Sequence, residues 1–447
     1  MTRYHARWVL PIAGEPVENG TVAESGGKII YAGPRAGAPA GDDYELGDAV
    51  LLPGLVNTHT HLELTVMRGF LEDLCFSDWI GKLRRGRNEV LTNETLLDSA
   101  RLGILEGLHA GITTYADTCS SGVVLQAMKE LGVRGVMYQE TFGPDPKAAD
   151  AAMIELESRI SALAGEQTDL VWLGISPHAP YTVSDELYSA AGKFARAKNL
   201  PLAMHIAESR EEEAIVTEAS GDFADGWNKR GIEVKRRARS PVALLEKLGL
   251  LGDRSLLIHC VRLDDGDISA IARSNSSVAH CPASNAKFGH GVAPLLPLLH
   301  AGVRVGIGSD SVASNNRMDI LDEARLSVLI HRAVTRRHDA FGARDALRLA
   351  TLGGAEALGL GDRIGSLEAG KDADLAAFRL DRLRTIPTGD PEAAALFALA
   401  GRGAELVTVR GRRLVEKGTT VYPLAPLLRS VGEASSALHA WAEANAG

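Results

Sequence analysis

Eight short runs rich in β-branched and apolar residues, each followed by a longer stretch with helical patterning, constrain this chain more than any other feature. They are LLPGLVNTHTH (51–61), GITTYADT (111–118), VRGVMYQET (133–141), VWLGISPHAP (171–180), PLAMHIAES (201–209), SLLIHCVRL (255–263), SSVAHCPAS (276–284) and VRVGIGSDS (303–311). Strands alternating with helices read as βα units that feed a parallel sheet. Eight such units close on themselves, so the predicted fold is α/β, a (β/α)8 TIM barrel over residues 53–361. With 447 residues, 45% hydrophobic and 23% charged, the chain has an ordinary globular make-up, and a barrel of about 250 residues leaves length to spare.

The surplus lies at the two ends. Residues 1–52 contain WVLPIAGEPVENG and GGKIIYAGP, and residues 362–423 contain DADLAAFRL and ELVTVRGRRLVEKG. Neither flank carries enough apolar residues for a core of its own, so the two are expected to meet in one small composite β-sandwich beside the barrel. Residues 424–447 read as helical. The opening MTRYHARWVLPIAG has no signal-peptide pattern and no apolar run reaches membrane-spanning length, so a cytoplasmic location without membrane contact is expected. Cys75, Cys119, Cys260 and Cys281 are scattered and form no CxxC pair, which argues against a disulfide framework. A net charge of -9 disfavours nucleic acid as a partner and favours a small diffusible substrate; a homodimer is compatible with this composition.

Most runs turn polar at their C-terminal end, presenting His59 and His61, Asp117, Glu140, His178, His205, His259, His280 and Asp310. Barrel enzymes collect their catalytic groups at that end of the strands. His59 and His61 stand two apart, so on a strand both imidazoles project from one face and can grip one ion. Neutral His59, His61 and His205 with the Asp310 carboxylate make an N3O set suited to one divalent metal, zinc first, with iron or manganese as alternatives. Zinc lowers the pKa of a bound water to roughly 7. The fourth run has no lysine that could bridge two metals, which favours a single ion.

The motifs PGLVNTHTHLE, RGFLEDLCFSDWI, SPHAPYTVS, HIAES, HCVRL, HCPASN and GIGSDSVASNN, spread over nearly the whole chain, resemble the amidohydrolase superfamily and, within it, the metal-dependent deaminases and chlorohydrolases. The resemblance implies metal ligation by His59, His61, His205 and Asp310, and catalytic proton transfer by Glu208 and His259 with Asp310. It implies substrate or supporting contacts for His178 and His280, and a substrate contact for Trp79. Deamination of an aminopurine needs a hydroxide-like nucleophile and an acid for a ring nitrogen, and Glu208, just past His205, is close enough to serve as that acid. SPHAPYTVS, HIAES and the following GDFADGW are similar to the deaminases of 6-aminodeoxyfutalosine, an intermediate of menaquinone biosynthesis. S-adenosylhomocysteine, methylthioadenosine or guanine deamination and chlorohydrolysis are the alternatives. The tract after Trp79, IGKLRRGRNEVL, departs from the WPxE-like segment of the S-adenosylhomocysteine and methylthioadenosine group.

Other features take plainer readings. His109 and His300 precede strands and are expected to face away from the metal. His331 and His338, in an Arg-rich segment, are expected to be solvated, as are the basic runs RRGR (84–87) and KRRAR (235–239). Cys260 and Cys281 read as packing. HLE at 61–63 lacks the PCxxC partner of cytidine-type zinc deaminases, and GIGSDS lacks the third glycine of a dinucleotide fingerprint. The insertion at residues 210–243, carrying Phe223 and Trp227 among charged residues, is expected to act as a lid, because it leaves the strand that bears His205.

Overall fold

The computed structural model describes residues 1–445, so the last two residues of the expected 424–447 helical segment lie outside it. Among the described residues, sixteen strands fall into two eight-stranded sheets. The barrel sheet contains β5 (Leu55–Thr60), β6 (Ile112–Cys119), β7 (Arg134–Thr141), β8 (Val171–Pro177), β9 (Leu202–Ile206), β10 (Ser255–His259), β11 (Ser277–His280) and β12 (Arg304–Ile307). They lie side by side in chain order, and every registered neighbour pair is parallel. Asp310 N–H donates to the His59 carbonyl at 2.9 Å where the last strand returns to the first. All eight predicted runs become barrel strands, and helices fill the connections between them.

Alternation decides what each strand offers to the lumen. Val136 and Tyr138 of β7, Ala203 of β9, Leu256 and Ile258 of β10, and Ala279 with the following Cys281 share one interior cluster. Their neighbours Met137, Met204, Leu257 and Val278 pack outward against the helices. Carried one step further, the same parity turns Glu140 and His205 inward and His280 outward.

The second sheet is built from both chain ends. It comprises β1 (Thr2–Val9), β2 (Val17–Ser25), β3 (Lys28–Pro34), β4 (Asp42–Pro53), β13 (Leu375–Arg379), β14 (Leu406–Val409), β15 (Arg412–Glu416) and β16 (Thr419–Thr420), in the order β16-β15-β14-β13-β4-β1-β2-β3. β4 sits at the junction, parallel to β1 and antiparallel to β13. Its alternate residues serve two cores: Ala49 and Leu51 join Tyr4, Val22, Leu375 and Ala377 in the small core, while Val50 and Leu52 join Ala376 and Phe378 in the large one. A buried ion cluster ties this sheet to the barrel. Arg134 of β7, fully buried, donates to Asp374 at 2.9 Å and to Asp372 at 2.9 Å.

The C-terminal helix, Ala425–Ala444, lays Val431, Ala434 and Leu438 on Leu64, Val66, Met67, Phe70 and Leu71, which follow β5. Among the described residues no helix is long and apolar enough to cross a membrane.

Candidate active site

At the carboxyl end of the barrel the structure gathers His59, His61, His205, His259 and Asp310. The ring centroids of His59 and His61 are 4.9 Å apart, as are those of His59 and His205. The His61 and His205 Nε2 atoms approach to 3.2 Å, and His59 Nε2 lies 3.2 Å from Asp310 Oδ1. Two ligands held about 2.05 Å from a tetrahedral zinc stand about 3.3 Å apart, so both spacings are those of donors aimed at one small cation. His59 Nε2 is buried without a hydrogen-bond partner, a lone pair that a cation would satisfy.

Neighbouring groups hold these side chains in the state that a metal ligand requires. The Nδ1–H of His61 faces Thr118 Oγ1 at 3.1 Å and that of His205 faces the His178 carbonyl at 3.3 Å, which leaves each Nε2 as the lone-pair nitrogen. Burial keeps the imidazoles neutral: it lowers His59 and takes His205 well below the usual value, and with the neighbouring His59 it brings His61 to about 4. Asp310 runs the other way. Burial alone would raise it, but the His59 ring, 3.2 Å away, and the other surrounding imidazoles outweigh that and hold it well below the usual carboxylate range. Its Oδ2 accepts from Ser284 Oγ at 2.5 Å and Ser314 Oγ at 3.0 Å, and its Oδ1 from Ser311 N–H at 2.6 Å.

Several of these positions bend the backbone into the left-handed region: Ala207 (φ 52°), His259 (φ 74°), Cys260 (φ 49°) and Asp310 (φ 58°). For non-glycine residues this costs free energy and clusters at functional sites. His259 shows what it achieves. Strand parity alone would turn its ring outward with Leu257, yet the ring centroid lies 5.8 Å from that of His59 and 5.7 Å from that of His205. Asn285 Oδ1 accepts from His259 Nδ1 at 3.0 Å, and His259 Nε2 then faces Glu208 Oε1 at 3.5 Å. Gly308 is glycine because a Cβ there would come within 2.9 Å of His59 Cβ and 3.0 Å of Cys281 Sγ.

Glu208 is buried, 3% exposed, and not a solvated first-turn residue. It precedes Ser209, the N-cap of the helix Arg210–Thr217. Glu212 of that helix reaches back, its two carboxylate oxygens accepting from Ala207 N–H and Glu208 N–H at 2.8 Å each. Burial pushes Glu212 up to about 8.

His178 also joins the cluster, its ring centroid 4.6 Å from that of His205, with Nδ1 held by Thr182 Oγ1 at 2.8 Å. Burial brings it to about 3. His280 does not join. Its ring packs outward against His331 of the helix Ile320–Thr335, centroids 5.5 Å apart, so the structure gives it no position from which to touch a substrate in the lumen. Trp79 lies edge-to-face with Phe288, ring centroids 5.1 Å apart, and packs, partly buried, on the cluster under the C-terminal helix. Asp117 serves the backbone, accepting from Leu62 N–H at 2.6 Å.

Three plain readings are also corrected. His331 is buried, between the Ser327 and Ala293 carbonyls. In KRRAR, Arg237 is buried, bound to Asp185 at 2.6 Å, the Val183 carbonyl at 2.9 Å and the Pro180 carbonyl. In RRGR, Arg87 pairs at 3.2 Å with buried Glu63. His109, His300 and His338 are exposed.

Residues with no role assigned from sequence complete the site. Glu140 is buried at the lumen end of β7, one oxygen unpartnered, close to His178 and His205, and burial pushes it up to about 8. His290, in the loop after HCPASN, lies 3.6 Å from Glu208. Over the mouth, Phe223 of the insertion stacks on Tyr181 at 4.3 Å, and Phe76 meets both rings edge-on. Trp227 is buried and donates from Nε1 to the Tyr181 carbonyl at 2.9 Å. The insertion is therefore less polar in its packing than its composition suggests, with Ile215, Val216, Ala224 and Ile232 in the same cluster.

Comparison with known proteins agrees with this picture. Residues 50–414 match the amidohydrolase family model. A 5-methylthioadenosine/S-adenosylhomocysteine deaminase of Moorella thermoacetica is 36% identical over 421 residues, covering 92% of this chain and 93% of that protein. Among solved structures, an adenosine deaminase from Xanthomonas campestris with bound zinc superposes with a TM-score of 0.87 at 30% identity, covering 98% of each chain. The Helicobacter pylori aminofutalosine deaminase in complex with methylthio-coformycin, TM-score 0.80 at 22% identity over 93% of this chain and all of that one, shares the fold. Fold, donor set and family match converge: the chain belongs to the amidohydrolase family, as a metal-dependent hydrolase of carbon–nitrogen bonds.

Proposed function

We propose that this protein is a hydrolytic deaminase of a 6-aminopurine nucleoside, holding one divalent cation, zinc best matching its donors. The observation that carries the reading is the juxtaposition of the convergent N3O set with a buried Glu208–His259 pair on the same side of the barrel mouth. His59, His61, His205 and Asp310 would hold the ion, which when bound supplies Lewis-acid activation of a water molecule.

The remaining chemistry belongs to the chain. Glu208 delivers a proton to the ring nitrogen beside the amino-bearing carbon, which makes that carbon electrophilic. His259, its Nδ1–H fixed on Asn285, presents Nε2 to take the proton that the attacking water gives up. That proton then leaves with the amino group as ammonia, and the remaining hydroxyl proton of the added water returns to Glu208 as the carbonyl forms. Asp310 orients the water, and the roof of Phe76, Tyr181 and Phe223 excludes bulk solvent. His178, neutral and with Nε2 free, is an acceptor for a substrate hydroxyl or amine.

For the finer choice of substrate, the motif resemblance supports 6-aminodeoxyfutalosine, and the similarity to a methylthioadenosine/S-adenosylhomocysteine deaminase supports a thioether adenosine. Both are adenine nucleosides with a bulky group at the sugar's 5′ end. Ammonia release by the zinc-loaded enzyme across adenosine, methylthioadenosine, S-adenosylhomocysteine, 6-aminodeoxyfutalosine, guanine and a chloro-s-triazine tests the reading. One adenine nucleoside should exceed the rest, and Glu208→Gln should retain zinc while losing at least ~10²-fold in kcat. Chloride release with no ammonia from any nucleoside would replace deamination by dechlorination.

A further inference from the structure

We propose that His290 is a positioning residue for Glu208, clamping one oxygen of its carboxyl group so that the other is presented to the substrate ring. This rests on the proton-transfer role proposed above for Glu208. The Glu208 Oε1 atom faces two imidazoles almost equally, His259 Nε2 at 3.5 Å and His290 Nε2 at 3.6 Å. Both nitrogens address the same oxygen, so Oε2 is the one left to face the lumen. The His290 side chain is only 5% exposed, and its Nε2 is buried without a hydrogen-bond partner. A buried ring nitrogen without a partner is costly. Glu208 is the group that this nitrogen faces, and separations of this size tighten when a substrate closes the site.

The ring is held for this purpose. Phe288 stacks on it, centroids 5.2 Å apart and planes 25° apart, and Phe76 meets it edge-on at 4.8 Å. Its backbone N–H donates to the Asn285 carbonyl at 3.0 Å, and the Asn285 side chain is the group that fixes His259. One short segment, 285–290, therefore places both imidazoles on Glu208. Phe76 comes from the segment after β5, so closure of that roof and alignment of the carboxyl are mechanically linked.

The test combines kinetics with a readout that needs no turnover. His290→Phe fits the aromatic cage and removes the N–H, while His290→Gln keeps a donor. On the preferred nucleoside, His290→Phe should lower kcat by about 10-fold or more with KM within about 3-fold of the parent and zinc content unchanged; His290→Gln should recover most of the loss. In a Glu208→Gln background the His290→Phe substitution should cost under about 2-fold, because a residue acting through Glu208 has nothing left to position. An equal cost in both backgrounds, or wild-type turnover in His290→Phe, overturns the proposal. In the zinc enzyme without substrate, the His290 Nε2–H resonance, seen by 15N-histidine NMR, should shift on Glu208→Gln, and an unmoved resonance overturns it even if the wild-type enzyme deaminates nothing. A silent wild-type substrate panel with a shifted resonance would instead count against the proposed function alone.

Discussion

Removal of Ser284 Oγ tests whether Asp310 is a metal ligand without touching any ligand. The Asp310 carboxylate receives three hydrogen bonds, two of them on Oδ2, from Ser284 at 2.5 Å and Ser314 at 3.0 Å. A hydrogen bond to a charged group contributes about 1.5–3 kcal/mol, and groups that orient metal ligands typically govern 10–100-fold in affinity. Ser284→Ala leaves Ser314 to hold Oδ2, so a loss of about 10-fold in zinc affinity is expected, equivalent to about 1.4 kcal/mol. Ser284→Ala combined with Ser314→Ala frees Oδ2 entirely and should approach 100-fold. Zinc affinity is read by competition with a fluorescent chelator at constant pH, and kcat is read at saturating zinc. Ser436→Ala, which loses only a bond to the Gly432 carbonyl on the exposed face of the C-terminal helix, is the control. Unchanged zinc affinity in the double variant would refute the assignment of Asp310 to the metal.

Two further outcomes follow from buried charge. Arg134→Met leaves Asp372 and Asp374 without their central cation, a loss that typically costs about 3–5 kcal/mol; at about 2.1 cal/mol/K per residue over 447 residues that lowers Tm by roughly 3–5 °C, measured by scanning calorimetry, with zinc content intact, and a shift under about 1 °C would count against it. Glu212, raised by burial to about 8, keeps its proton in the folded state over a range where the unfolded chain has released it. Its stabilising contribution is complete below about pH 4.5 and is lost as pH rises through about 8. The slope of stability against pH should therefore differ between the wild type and Glu212→Gln by up to about 1.4 kcal/mol per pH unit within that window, and parallel profiles would contradict the raised value.

The barrel was legible because its strands are buried on both faces and stand out as apolar runs ending in polar residues. His59, His61, His205 and Asp310 were legible for the same reason. His280 was misplaced because it shares that pattern, although β11 presents Ala279, with Cys281 just after it, to the lumen. The reverse applies to His259, which reaches the site through two left-handed residues that no alternation rule anticipates. His290 carried no signal at all, since it sits in a loop where neither period nor spacing distinguishes a site residue from a solvated one. Arg237 and His331 were read as solvated because charge predicts exposure until carbonyl acceptors are known to surround it.

β4 has a consequence for how the chain is made. During synthesis its Val50 and Leu52 emerge early, yet the strand that pairs along their edge of the sheet, β13, is translated only after the entire barrel. Through that interval a nascent chain carries an apolar ribbon with an open edge, a surface prone to wrong pairing. Chains truncated before Leu375 should therefore be held by chaperones or aggregate rather than fold as a free barrel, and roughly the last sixth of the message decides whether a strand near its start is ever paired.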